Sequence, residues 1–225
     1  MSIAPKMPLM KTAPATKRTS LRRSRRAAEP TANSGTRDGI LAAARDVLVR
    51  QGYKELTTRR VAELAGITAG NLTYHFPSKR DLLRALIQRL VAEYSAGIDG
   101  FFADLALPPE QKFKALIEWL LADALSADSN RIFRELWVMA LHDQFVARAI
   151  DDFYDKAIEQ IAQLLSRSYR GLSKTSADAI AHLLATISEG SGVLYGTRQT
   201  RVVGHADMTA LAVEVLTAAV RGADH

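Results

Sequence analysis

The chain has 225 residues, no cysteine, 24% charged residues, a net charge of +6 and a mean hydropathy of −0.05. The missing cysteines exclude disulfides, thiolate metal sites and cysteine nucleophiles, and no apolar run approaches the roughly 18 residues of a membrane span. The charge is uneven, net +7 over residues 1–30, +4 over 36–80 and −5 over 81–225, so a polyanionic partner is expected at the front of the chain.

Residues 1–35 read as a basic tail. Pro5, Pro8, Pro14 and Pro30 interrupt any helix, and Arg, Ser, Thr and Ala fill the rest. Its densest cluster runs from Lys17 to Arg26. Three readings stay open: a disordered solvated tail or upstream extension, an arm adding non-specific phosphate contacts, and an Arg/Ser-rich transit peptide lacking a clean amphipathic helix.

From Thr36 onward the pattern is helical. Ile40, Leu41, Ala44, Val47 and Leu48 mark one face at 3.6-residue spacing, and Gly52 ends that helix. Thr57-Thr58 opens a short helix whose expected buried side is Val61, Leu64 and Ala65, and Gly66 makes the turn. Thr68 is placed to cap a third short helix anchored by Leu72. Pro77 stops it, and Ser78 with Asp81 three residues on forms a near capping box for a long fourth helix striped by Leu82, Leu83, Leu86, Ile87, Leu90, Val91 and Tyr94. After the Leu107-Pro108-Pro109 break, five more helices are predicted at about 110–127, 129–142, 143–170, 174–198 and 206–221. No segment alternates with period two, and no repeat is present, so the expected class is all-α.

Residues 57–76 have the layout of a helix-turn-helix: a short helix, a glycine turn and a short polar helix. The first helix of such a motif braces across the DNA backbone and the second faces the major groove. Asn71 can pair with the N6 and N7 of adenine, and Arg59 can fork onto the O6 and N7 of guanine. Thr, Tyr and His side chains can donate to phosphate. Lys79 falls at the N-terminus of the next helix, where free amides and the dipole favour an anion.

The stretch 40–83, ILAAARDVLVRQGYKELTTRRVAELAGITAGNLTYHFPSKRDLL, resembles the DNA-binding domain of the TetR family of bacterial repressors. The pattern Ala-Gly-Ile-Thr-x-Gly-x-Leu followed by His-Phe-x-x-Lys-x-x-Leu carries the resemblance. It implies that Thr58 and Arg59 open the bracing helix, that Thr68, Ala69, Gly70 and Asn71 form the first turn of the recognition helix, that Tyr74 and His75 lie on its later turn, and that Lys79 meets phosphate. Thr73 departs from the family, which most often has tyrosine there. Threonine reaches less far, and Tyr74 stands about 100° further round the helix.

The resemblance further implies three regions: the 1–35 tail, a DNA-binding domain at 36–80, and an effector-binding and dimerisation domain at 81–225. Trp119, Phe133, Trp137, His142, Phe145, Phe153, His182 and Tyr195 lie on helices expected to enclose an effector, with an apolar or aromatic small molecule as its expected class. Leu184, Ile187, Ser191, Leu194, Leu211 and Val215 are the expected dimer contacts, on two final helices whose small residues allow close approach. The alternative is that those stripes face only their own domain.

The function expected from these features is a homodimeric, ligand-responsive repressor in the bacterial cytoplasm that binds a palindromic double-stranded DNA operator and releases it when a small-molecule effector binds. No membrane partner, metal or cofactor is expected. An enzyme is disfavoured, because the five histidines show no His-x3-His or HExxH spacing and the chain has no phosphate-cradling glycine loop or GxSxG elbow. The alternative is a helical interaction module with weakened DNA binding, which only Thr73 favours.

Overall fold

The computed structural model describes residues 30–103, 107–197 and 201–223. Residues 1–29, which hold nearly all of the expected tail, lie outside the described residues. Among the described residues the structure is all-α, without strands. Helix α1 spans Pro30–Gln51, followed by a 3₁₀ turn at Tyr53–Glu55, α2 at Thr58–Ala65, α3 at Ala69–His75 and α4 at Lys79–Ala103. Then come α5 (Pro109–Ala124), α6 (Ala127–Ala140), α7 (Gln144–Ser168), α8 (Lys174–Tyr195) and α9 (His205–Ala223). Helix α1 begins before Thr36, with Pro30 at its first position, where the missing N–H would have had no partner.

The short N-terminal helices exist because their ends are satisfied. Thr57, rather than Thr58, caps α2 and accepts from the Arg60 N–H at 3.1 Å. Gly66 ends α2 in the left-handed region at φ 69°, where glycine is strongly preferred, and Ile67 N–H returns to the Ala62 carbonyl at 3.0 Å. Thr68 caps α3 by accepting from Asn71 N–H at 3.1 Å. Ser78 accepts from Asp81 N–H at 3.1 Å and donates to its carboxylate at 2.7 Å, which starts α4 as expected.

Two apolar clusters hold the molecule. The first joins α1–α3 and the start of α4 to Ile132, Leu136 and Met139 of α6 and to Val146 and Ile150 of α7. The second joins Ile98 of α4 to α5, the C-terminal half of α7, α8 and α9. Helices α4 and α7 thread both clusters, so the core does not part at residue 80. Expected core positions Ile40, Leu41, Ala44, Val47, Leu48, Val61 and Leu72 are at most 2% exposed, as is Phe76. Leu64 is not core: it is 52% exposed. The buried side of α2 centres between Val61 and Ala62, and at 100° per residue Leu64 falls about 110° from that centre.

Candidate nucleic-acid interface and ligand cavity

Helix α3 has one fully buried residue and is otherwise largely open to solvent. Leu72 is fully buried, while Thr68, Ala69, Gly70, Asn71, Thr73 and Tyr74 are exposed and His75 is half-buried. The Tyr74 and His75 rings meet edge to face at 5.3 Å, so the most exposed aromatic of the helix is braced by its neighbour. The Thr73 hydroxyl donates to the Ala69 carbonyl at 2.9 Å. It holds no long reach, but its oxygen still has acceptor capacity.

The bracing helix shows its charges to solvent. Thr58 is half-buried at the first position of α2. The Arg59 side chain is 88% exposed and rests on Glu63 at 3.1 Å. An exposed i,i+4 pair of this kind holds by only about 0.3–0.5 kcal/mol, so Arg59 can leave it cheaply. Arg60 is more constrained, bonded to Gln51 at 3.1 Å and paired with Glu63 at 3.5 Å.

Lys79 is positioned by a residue that sequence reasoning passed over. Its ammonium donates to the Tyr53 carbonyl at 3.2 Å and sits 3.8 Å over the Tyr53 ring. Burial there pulls its pKa below the usual lysine value. Tyr53 is itself held from α6: its N–H donates to the Glu135 carboxylate at 2.9 Å across 82 residues of sequence. Gly52 makes room for that carboxylate. It adopts φ 82°, and a Cβ there would lie 3.1 Å from Glu135 Oε1. The only sequence signal for this strap was the glycine.

Behind this head, α4–α8 enclose a cavity of about 90 Å³. Phe133, Trp137 and Phe153 of the expected effector residues line it, together with Tyr94 and Tyr154. Tyr94 packs edge-on against Phe133 at 5.6 Å and Phe153 at 5.5 Å, and Tyr154 meets Phe153 at 5.1 Å and Trp137 at 5.9 Å. Beside Asn130, Arg134 and Ser188, the lining carries two carboxyl groups. One is Asp123, which accepts from Tyr94 and from Ser129. The other is Glu189 of α8, facing the Tyr154 hydroxyl and the Trp137 indole. Burial pushes the Glu189 carboxyl above its ordinary value. The same cause, reinforced by Asp123, moves the Tyr94 hydroxyl up, and burial with Glu189 does so for Tyr154.

The other five expected effector residues do not line this cavity. Trp119 packs into the second core cluster and touches Tyr94 from outside the cavity lining, with ring centroids 6.0 Å apart. His142 is exposed in the turn after α6. Phe145 packs against the first cluster beneath the guanidinium groups of Arg80 and Arg84. His182 is exposed, with its ring nitrogen 2.7 Å from the Asp178 carbonyl. Tyr195 is buried but donates to the Val203 carbonyl and stacks edge-on with His205, closing the α8–α9 connection. The expected dimer residues also divide. Leu194, Leu211 and Val215 are 53%, 51% and 46% exposed and Ile187 is half-buried, whereas Leu184 (0%) and Ser191 (4%) are consumed by their own subunit. Leu183, 42% exposed, takes the outward place that Leu184 was expected to hold.

Among the described residues no helix is long and apolar enough to cross a membrane, and no group of three or more His or acidic side chains is placed to hold a metal ion. Residues 40–86 match the family described as "Bacterial regulatory proteins, tetR family". The HTH-type transcriptional regulator BetI of Stenotrophomonas maltophilia is 21% identical over 113 residues, covering 50% of this chain and 58% of that protein. The uncharacterized HTH-type transcriptional regulator TtgW of Pseudomonas putida is 30% identical over 103 residues, covering 46% of this chain and 72% of that protein. The chain thus spans less than two thirds of the BetI relative. Two solved structures share the fold over nearly their whole length. A TetR-family regulator from Mesorhizobium loti superposes with TM-score 0.72 at 16% identity, over 84% of this chain and 97% of that one. A regulator from Saccharomonospora viridis, solved in complex with choline, superposes with TM-score 0.66 at 22% identity, over 81% and 96%. With the helix-turn-helix geometry and the TtgW relationship together, the chain belongs to the TetR family of bacterial regulatory proteins.

Proposed function

We propose that the protein is a ligand-responsive, homodimeric transcriptional repressor. It reads a palindromic operator with α3 and is released by a small molecule in the α4–α8 cavity. The observation that carries this reading is α3 itself: one buried leucine fixes it to the bundle, while Asn71, Thr73 and Tyr74 are left to solvent. A helix built this way spends its side chains on a partner rather than on its own core. Two such helices related by a twofold axis require half-sites spaced by the groove repeat.

The exposed apolar positions on α8 and α9 support self-association, since Leu183, Leu194, Leu211 and Val215 otherwise face water. The cavity supports an effector, as does the choline held by the S. viridis relative. The effector acts by favouring a conformation with the wrong spacing of recognition helices, so operator and effector compete.

Selection from random DNA tests the reading. It is expected to return a palindrome whose affinity falls steeply with salt. Recovery of no palindrome, or of a complex indifferent to salt, would falsify it.

A further inference from the structure

We infer that the cavity effector is a small organic cation, a quaternary or alkylated ammonium, held in the aromatic cage formed by Tyr94, Phe133, Phe153, Tyr154 and Trp137 with Glu189 as its counter-ion. This rests on the effector-binding reading above and names the ligand class. Ring faces carry negative charge and attract an ammonium, most strongly when it is desolvated. Five aromatic side chains line the cavity and offer their rings to an alkylammonium.

The charges in the cavity favour the same class. Among the described residues, no Lys, Arg or His forms an ion pair with Glu189. The other acid, Asp123, is satisfied by Tyr94 and Ser129. The one cationic side chain in the lining, Arg134, donates to the Gly192 carbonyl at 3.1 Å, where Asn130 also donates at 2.8 Å. Its Nη2 is therefore directed at the α8 backbone, while its Nε is buried without a partner. The Tyr154 hydroxyl is buried and faces Glu189 without a hydrogen bond of normal geometry, so Glu189 has polar neighbours in Tyr154 and Trp137 but no cationic one. A bound cation supplies the counter-charge that an ionised Glu189 otherwise lacks.

The pH dependence follows in sign. The groups facing Glu189 are Tyr154 of α7 and Trp137 of α6, with Arg134 and Asp123 the other charged groups of the cavity. The folded protein holds the Glu189 proton above the ordinary carboxylate range. The unliganded fold therefore loses stability as pH rises from that range through the raised pKa of Glu189. Cation binding strengthens over the same window, because the counter-ion is then ionised.

Three probes of one shape separate the possibilities on the full-length protein: tetramethylammonium, neutral neopentyl alcohol and anionic pivalate. Calorimetry and thermal shift are expected to show tetramethylammonium binding about tenfold or more tightly than neopentyl alcohol, with pivalate weakest. Glu189→Gln keeps the shape of the side chain. It is expected to melt no lower than wild type at neutral pH, to bind tetramethylammonium about tenfold more weakly, and to leave neopentyl alcohol unchanged. Phe133→Leu is expected to weaken the cation more than the alcohol. Equal or tighter binding of pivalate, an unaltered cation affinity in Glu189→Gln, or no binding of any probe overturns the assignment. Those results leave effector control itself standing. That fails separately, if no compound of any charge releases the operator.

Discussion

At the scale of single residues, Asn71 and Leu72 are neighbours with separable roles. Leu72 is fully buried and Asn71 is exposed. Leu72→Ala is expected to cost about 2–5 kcal/mol of folding stability through the cavity it opens. Asn71→Ala is expected to leave the melting temperature nearly unchanged while costing about 1–3 kcal/mol of discrimination at a single operator position. Melting curves and binding to operators with single base substitutions check both. Lys79 belongs to a third class. Its ammonium is held by the carbonyl and ring of Tyr53, and the role proposed for it is a phosphate contact. Lys79→Met is expected to weaken every DNA sequence alike and to lower the salt slope by about one. A loss confined to one base position would show that the lysine reads sequence.

Among the elements, α6 occupies the decisive place. Phe133 and Trp137 line the cavity, and between them Glu135 accepts the Tyr53 N–H beneath Lys79. One helix therefore carries both a wall of the cavity and the strap that positions Lys79. Glu135→Ala is expected to cost about 1 kcal/mol of stability for the lost hydrogen bond. It is also expected to reduce the coupling between effector and operator more than it reduces either affinity alone, as measured by operator affinity with and without effector. An unchanged coupling would remove α6 from the signal path. The helices themselves were legible because their ends are written locally: Thr57, Gly66, Thr68 and the Ser78–Asp81 pair each act within a few residues. The strap was not legible, because Glu135 and Tyr53 are 82 residues apart and each looks like an ordinary surface residue in its own segment. The cavity was partly legible for a related reason. Aromatic type alone does not set how a helix is rotated against its neighbours, so Phe133 and Phe153 turned inward while Trp119 and Phe145 joined the cores.

For the whole molecule, the question is which apolar stripes belong to one chain and which to two. A stripe on α8 looks the same in sequence whether it meets α5 or a second copy, and adjacent leucines show the ambiguity: Leu183 is 42% exposed and Leu184 is fully buried. Packing shows which positions the subunit itself covers. The second core cluster takes Ile180, Ala181 and Leu184 from α8 and Ala212, Leu216 and Val220 from α9, and leaves Leu183, Leu194, Leu211 and Val215 outside. A twofold contact presents each residue to its own surroundings in the partner, so one substitution strikes the interface twice. Leu211→Glu is expected to convert the dimer to monomer in sedimentation while keeping the helical content. It is also expected to lower affinity for the full palindrome by roughly 10²–10⁴-fold, because the second half-site loses its tethered reader. Leu184→Ala is the contrasting case. Its side chain fills the subunit's own core, so the expected effect is a loss of about 2–5 kcal/mol in stability, with the remaining folded protein still dimeric. A dimer that survives Leu211→Glu and operator affinity that does not change would place the self-association surface elsewhere on the molecule.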